Sequence, residues 1–299
     1  MERSLGVKDF KILTALEERV DEALTQREIA TAADLSVGTV NRAMADLHER
    51  GFVREGMLSA AGLEALEPYR VKRAVLIAAG FGSRLVPITL NTPKPLIRVQ
   101  GRRIIDSLLD AVYAAGIEEV YVVRGYLAEQ FDQLLYKYPG LKFIENPFYN
   151  EANNISSAVA AKDLLQNAYV FESDLLLYNP KLITKYQYSS NYLGVPVQVT
   201  DDWCFQTRRG VITGLSVGGT DCHHMFGISY WTEEDGRKLA DDVPATFAMP
   251  GGKERYWDEV PLRYFSKSYE VRVRECSFDD IIEIDTYREL QELDPAYAV

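Results

Sequence analysis

The chain has 299 residues, 47% of them hydrophobic, and a formal net charge of −11. That length supports one large or two modest domains with real cores, and the acidic balance argues against a broad nucleic-acid-binding surface. No apolar stretch reaches membrane-spanning length, no signal-peptide pattern opens the chain, and Cys204, Cys222 and Cys276 lack metal-ligand spacing, so the expectation is a reduced, cytoplasmic protein with no membrane partner.

Residues 1–70 read as helical. Residues 8–20 carry Phe10, Ile12, Leu13, Leu16 and Val20 at helical spacing. Thr25 with Glu28 three positions on fits a capping box that opens a short helix through Ile29 and Ala33. A turn at residues 34–36 leads into a helix over 37–50 with Val37, Val40, Met44 and Leu47 on one face. Gly51 ends it, and Phe52 and Val53 begin an extended piece. This order resembles a winged helix-turn-helix domain, which implies that Thr39, Asn41 and Arg42 face outward where DNA would be read. The segment holds nine Lys/Arg against thirteen Asp/Glu, a net of −4, which makes it a poor autonomous DNA binder. The rest of the chain, or the second subunit of a homodimer, is the other partner it could pack on. Pro68 marks a linker over 67–72.

From Arg73 onward, apolar runs alternate with helical periodicity. Strands are expected over 73–78, 119–123, 142–144 and 168–171, and helices over 104–115, 128–138 and 154–165. Such alternation predicts an α/β fold with a mostly parallel mixed sheet flanked by helices. Its ligands would lie beyond the carboxyl ends of the strands, where Gly80, Gly125 and Asp174 fall. After Leu193 the runs at 193–199, 204–206, 211–216, 225–230 and 270–274 read as strands with hairpin-like links that wall a second binding region. His223 and His224 are neighbours in an extended run and point to opposite faces, so they read as structural rather than metal ligands.

The most informative stretch is 76–96. A strand ends in Ala78-Ala79-Gly80-Phe81-Gly82-Ser83, where small residues let backbone N–H groups approach a phosphate chain. Arg84 follows, and Lys94 stands between Pro93 and Pro95, which stiffen its loop. Together these form a triphosphate cradle. The loop has neither the Gly-Lys-Ser/Thr of a Walker A motif nor a dinucleotide GxGxxG. Three later segments end in acids: Asp174, Asp258, and the pair Glu283 and Asp285. A triphosphate-transfer site needs one or two such hard oxygen ligands for Mg²⁺.

The stretch resembles the AAGxGxRLxPxTxxxPKP signature of nucleoside-triphosphate transferases that activate sugar or alcohol phosphates. Asn146-Pro147-Phe148-Tyr149, Asn153-Asn154-Ile155-Ser156-Ser157, Tyr169 to Asp174, Asp202-Trp203, Gly227 to Trp231, Tyr256-Trp257-Asp258 and Glu283-Ile284-Asp285 follow in order. That series is similar to the bacterial CTP:phosphocholine cytidylyltransferases over residues 73–293. The resemblance implies a Rossmann-like nucleotidyltransferase domain over 71–299 behind a winged helix-turn-helix domain over 1–70. It implies CTP held by Ala78, Ala79, Gly80, Gly82, Ser83, Arg84, Lys94, Asn154 and Ser156, with Gly125 and Tyr126 near the base. Lys94 and Arg84 would be the catalytic cations, and Asp174 and Asp258 would hold Mg²⁺. Residues 1–70, Glu172 and Leu175-Leu176 depart from the family pattern.

Asn153, Asp202, Trp203, Trp231, Tyr256 and Trp257 are the candidate acceptor residues. Aromatic faces with a nearby carboxylate suit a quaternary ammonium that cannot donate hydrogen bonds, with Tyr192 and Tyr230 as further candidates for the cage. The expected reaction joins CTP and phosphocholine to give CDP-choline and pyrophosphate. Phosphoethanolamine, aminoethylphosphonate or a sugar 1-phosphate are the alternative acceptors, and a DNA-binding regulator that senses a nucleotide is the alternative of another class.

Overall fold

The structure is a computed structural model that describes residues 5–19 and 23–298, so Val20 of the first expected helix lies outside the described residues. The chain divides into two units. One runs up to Arg70 and includes Tyr186–Tyr188, and the other comprises Val71–Lys185 and Ser189–Val299.

In the first unit, α1 (Val7–Glu17), α2 (Gln26–Ala32) and α3 (Val37–Glu49) precede the antiparallel pair β1 (Val53–Arg54) and β2 (Met57–Leu58), then α4 (Ala60–Leu66). α2 opens on the expected capping box, with Thr25 N donating to Glu28 Oε2 at 2.8 Å and Glu28 N to Thr25 Oγ1 at 3.3 Å. α3 buries Val40 and Leu47 and leaves Asn41 and Arg42 exposed. Val37, expected on the inner face, is exposed in its first turn. Ile12, Leu13, Leu16, Ile29, Val40, Leu47, Leu66, Tyr69 and Tyr186 form one core, and the Tyr69 ring stacks on Tyr188 at 5.4 Å. The β1–β2 hairpin is the wing of a winged helix-turn-helix fold.

The second unit begins with β3 (Arg73–Ile77), whose Ala-Val-Leu-Ile run is buried on both faces of the sheet. A small hairpin of β4 (Arg98–Val99) and β5 (Arg102–Arg103) precedes α5 (Ile104–Ala114). Then come β6 (Glu119–Arg124), β7 (Lys142–Glu145), α6 (Ile155–Ala160) and β8 (Ala168–Glu172). β3 lies between β6 and β8, parallel to both. Ala74 and Leu76 pack on Ile105, Leu108, Leu109 and Val112 of α5, while Ile77 and Ile155 belong to the cluster on the other side.

The expected helix over 128–138 is instead a 3₁₀ run, Ala128–Tyr136, entered through Leu127 in the left-handed region. The one expected over 154–165 breaks at Ala161 into α6 and a 3₁₀ turn, Lys162–Leu164.

Beyond β8 come β9 (Leu175–Leu177), β10 (Asn191–Arg208), β11 (Val211–Trp231), α7 (Glu233–Phe247), β12 (Arg272–Glu275), β13 (Ile281–Glu283) and α8 (Tyr287–Leu293). The four short strands expected over 193–230 are thus one long antiparallel hairpin, β10–β11, continuous through several register shifts. β11 joins it to β8, giving a seven-stranded mixed sheet in the order β10-β12-β11-β8-β3-β6-β7. Among the described residues no helix is long and apolar enough to cross a membrane.

Candidate active site

A cavity of about 530 Å³ opens beyond the carboxyl ends of β3 and β8. One wall is the loop after β3. Gly82 adopts a left-handed conformation (φ 61°), and a Cβ there would come within 3.0 Å of Lys94 Cβ and 3.1 Å of Thr89 Cγ2, so a side chain would push the lysine loop away. Thr89 Oγ1 donates to Gly82 O at 2.9 Å, tying the two loops together. Lys94 opens a 3₁₀ turn with Pro95 and is only 8% exposed.

The ammonium of Lys94 donates to Asp174 Oδ2 at 2.9 Å and to Asp285 Oδ1 at 3.1 Å, while Arg84 Nη1 donates to Asp285 Oδ2 at 2.8 Å. β13 pairs antiparallel with β9, setting Glu283 opposite Leu175, and Ile284 N donates to Asp174 O at 3.1 Å. That pairing brings residues more than a hundred positions apart together, so that Asp174, Glu283 and Asp285 each offer a carboxylate oxygen within 4.8 Å of the others. Asp174 Oδ1 is buried without a hydrogen-bond partner. Three carboxylates with a spare buried oxygen are the hard donor set a divalent cation such as Mg²⁺ takes. Asp258, expected beside Asp174 in that role, lines the same cavity outside this trio, is 4% exposed and accepts the hydroxyl of Tyr192.

The electrostatics follow from seven lining carboxylates (Glu172, Asp174, Asp202, Asp258, Glu259, Glu283 and Asp285) against two cations, Arg84 and Lys94. Burial works against the Lys94 ammonium, but Asp174, Asp285 and Glu283 outweigh it and its pKa is raised. Burial pushes the Asp258 carboxyl up to about 7, although the Tyr192 hydroxyl acts to lower it. Glu172 and Glu283 are raised as well, first by burial and then by neighbouring carboxylates.

The opposite wall comes from the long hairpin and the 256–259 loop. Trp203 and Tyr256 meet edge to face at 5.5 Å, and Asp202, Asn153 and Asn154 line the cavity with them. Asn154 Nδ2 donates to Glu172 Oε1 at 3.0 Å, and Asn154 Oδ1 accepts from Trp257 N at 2.9 Å. Gly227 is required here: a Cβ would stand 2.5 Å from Glu172 Oε2.

Several candidates are placed elsewhere. Trp231 and Trp257 are 0% and 1% exposed and pack on each other at 5.9 Å in the core, so neither offers a ring face to a ligand. Tyr192 and Tyr230 are likewise fully buried. Ser156 is buried, donating to Asn153 O and accepting from Asn146 Nδ2, so it braces the asparagines. Ala79 is buried and its carbonyl accepts from Tyr126 N. Gly125 sits tight against Tyr149, and the Tyr126 ring packs on Phe81 at 4.6 Å while its hydroxyl donates to Thr89 O. Ala78, Gly80, Gly82, Ser83, Arg84 and Lys94 do line the cavity. Glu283 and Asp285 are the site carboxylates that sequence reasoning noticed as acids but did not join to Asp174. The signal lay in the β9–β13 pairing, which no local pattern announces.

A Gly-loop, a buried lysine and a carboxylate cluster at the end of a mixed α/β sheet define a nucleotidyltransferase. The nucleotidyl transferase family model matches residues 73–191, and a winged helix-turn-helix DNA-binding model matches residues 7–54. The chain is 35% identical to the 2-aminoethylphosphonate cytidylyltransferase of Lancefieldella rimae over 75% of its own length and 92% of that protein. This chain belongs to the nucleotidyl transferase family. It is also 29% identical to the choline-phosphate cytidylyltransferase of Streptococcus pneumoniae, across 97% of that protein. A solved structure of the CTP:phosphocholine cytidylyltransferase from Streptococcus pneumoniae superimposes with a TM-score of 0.70 at 29% identity, covering 76% of this chain and 99% of that one.

Proposed function

We propose that the chain transfers a cytidylyl group from CTP to a small acceptor that carries a phosphate or phosphonate at one end and a cationic nitrogen at the other. An acceptor oxygen attacks the α-phosphorus, the bond to the β-phosphate oxygen breaks, and pyrophosphate leaves in line. The acceptor oxygen is already anionic, so no general base is needed, and the protein contributes positioning and charge. Backbone N–H groups of the Gly80–Ser83 loop and the Arg84 guanidinium would hold the β- and γ-phosphates, and Lys94 the α-phosphate. Asp174, Glu283 and Asp285 would hold Mg²⁺, which offsets charge on the triphosphate.

The observation that carries this reading is the excess of carboxylates over cations in the cavity, with both cations at the phosphate end. The far end, with Asp202, Glu172, Asp258 and Glu259, the last already paired with Arg263 at 3.0 Å, offers carboxyl oxygens to a ligand that donates hydrogen bonds. It favours a primary ammonium, as in 2-aminoethylphosphonate, because such a group needs hydrogen-bond acceptors and two of the three expected tryptophan faces are enclosed in the core. The relative from Lancefieldella rimae supports the same choice. Phosphocholine is the second reading, favoured by the Trp203–Tyr256 ring pair, which could meet a trimethylammonium by cation–π attraction.

The test is pyrophosphate release with CTP and a panel of 2-aminoethylphosphonate, phosphoethanolamine, phosphocholine and glucose 1-phosphate. We expect 2-aminoethylphosphonate to exceed phosphocholine in kcat/KM by about tenfold or more. Release with none of the four would overturn the reading, and a preference for phosphocholine would hand the acceptor end to the ring pair.

A further inference from the structure

Behind the acceptor end, a line of hydrogen-bond donors runs through the core and stops at a carboxyl group. β10 sets Tyr192 directly opposite Ser229 of β11, and Ser229 and Trp231, two positions apart on β11, share a face of the sheet. Trp231 Nε1 donates to Ser229 Oγ at 2.9 Å. The Ser229 hydroxyl acts as a donor to the Tyr192 phenol oxygen, since its other acceptor, Val170 O, stands at 3.5 Å, long for a hydroxyl bond. The Tyr192 hydroxyl in turn donates to Asp258 Oδ1. Every bond in the line points the same way, and such chains polarise one another toward the acceptor at their end.

We propose that Tyr192 is a positioning residue: from inside the core it holds Asp258 as the carboxylate that takes the cationic nitrogen of the acceptor substrate. This role rests on the cytidylyl-transfer reading above.

Asp258 is the far-end acid best placed for such a ligand. Glu259 is paired with Arg263, Glu172 accepts from Asn154, and Asp202 Oδ1 accepts from the N–H of Trp203 at 2.6 Å. Asp258 lines the same cavity, and the side chain that donates to it is Tyr192. The Tyr192 ring cannot drift, because it is fully buried and Phe205, Trp231 and Trp257 pack around it at 5.4, 6.1 and 6.3 Å. A phenylalanine would fill that space as well, and a buried hydroxyl costs stability unless it is bonded. What the hydroxyl supplies is a direction and a charge state for Asp258. Burial and the neighbouring Glu259 favour the protonated carboxyl, and the Tyr192 bond favours the ionised one. Glu172 of β8 faces the same group and also opposes its charge.

The test is Tyr192→Phe in the full chain, which removes one oxygen. Infrared spectroscopy follows the protonated Asp258 carboxyl across pH, with its band identified by its absence from Asp258→Asn. The midpoint should move up by about one pH unit or more, the order that a hydrogen bond to a charged group supplies. The KM for 2-aminoethylphosphonate, or for phosphocholine where the panel selects it, should rise about tenfold at neutral pH, one pKa unit expressed as affinity. The CTP KM should hold. The acceptor deficit should narrow as pH rises from about 7 to about 9 and the carboxylate returns, whereas a packing defect alone would give a deficit flat with pH. Should the phenylalanine variant fold poorly, Ser229→Ala leaves the Tyr192 ring in place and should move the Asp258 midpoint in the same direction by a smaller step. An unmoved midpoint, or a KM deficit that is the same at every pH, would overturn the proposal. If instead no acceptor in the panel gives pyrophosphate, the transfer reading fails, while the infrared midpoint still decides whether Tyr192 governs Asp258.

Discussion

The phosphate end of the cavity is made from a contiguous stretch, Gly80 to Pro95, braced by hydrogen bonds within itself such as Thr89 to Gly82. The acceptor end is collected from a long hairpin, which supplies Asp202, Trp203, Leu215, Met225 and Gly227, and from the loop that carries Tyr256, Asp258 and Glu259. The two ends also differ in charge. Arg84 and Lys94 give the first its cations, while the second offers carboxylates and two rings. A local, preorganised segment can be kept while the hairpin varies. On the proposed reading, the arrangement separates what is common to nucleotidyl transfer from what would select the acceptor.

The largest effect should come from the phosphate end and be blind to the acceptor. Asp174→Ala removes a carboxylate that both pairs with Lys94 and belongs to the metal-capable trio. Turnover should fall by about 10²–10³, as for loss of a key electrostatic group, and by the same factor for every acceptor that the wild type uses. Steady-state rates with two acceptors check this. A loss confined to one of them would show that the two ends are not separable.

The same contrast explains how far the sequence could be read. That the 80–95 stretch would line the cavity was legible because its small residues, arginine and lysine stand at fixed spacing in one segment, and β3 was legible because a strand buried on both faces is apolar throughout. The capping box at Thr25 and Glu28 was visible for a similar reason, since its partners are three residues apart. The aromatic residues were only half legible: Trp203 and Tyr256 line the cavity as expected, and Trp231 and Trp257 do not. Trp203, Trp231 and Trp257 all lie near acids in the sequence, yet only Trp203 reaches the cavity. Trp231 has its Nε1 satisfied by Ser229 Oγ at 2.9 Å and packs edge-on against Tyr192, Trp257 and Tyr269. A side chain's face depends on register, and the register shifts in the β10–β11 hairpin leave no simple alternation to read. The carboxylate trio was hidden for a different reason, because Glu283 and Asp285 reach Asp174 through the pairing of two three-residue strands distant in the chain.

A second pair of variants sharpens the comparison inside the acceptor end itself. Trp203→Ala should raise the acceptor KM by about tenfold, the order that loss of one well-placed ring contact supplies, and leave the CTP KM and the melting temperature nearly unchanged. Trp257→Ala should do the reverse. It empties a fully buried site between Trp231 and Tyr192, so it should cost stability on the order of 3–5 kcal/mol. Thermal unfolding and the two KM values distinguish these outcomes. An acceptor KM raised equally by both substitutions, with stability intact, would return Trp257 to the binding surface.

The smallest effect concerns pH and separates Asp258 from the metal-capable trio. Burial holds the Asp258 carboxyl at about 7, against an ordinary value of 3.8. The folded state therefore binds this proton more tightly than the unfolded state does. The stabilisation is complete at low pH, declines as pH rises from the unfolded value through about 7, and is flat above that. Glu172 and Glu283 are raised in the same direction, so nucleotide-free protein should lose melting temperature as pH rises from about 4 through about 7. Asp258→Asn keeps an oxygen to accept the Tyr192 hydroxyl and removes one of the titrating groups. Its melting temperature should decline over that interval by a few degrees less than that of the wild type, and the difference should lie at the alkaline side, where the wild type carries the buried charge. Scanning calorimetry at a series of pH values measures it, and a slope identical to the wild type would mean that Asp258 is ionised throughout. The variant should also retain Mn²⁺ binding in the presence of CTP, because Asp174, Glu283 and Asp285 are untouched. Loss of that binding would move Asp258 to the phosphate end, and with it the boundary between the two halves of the site.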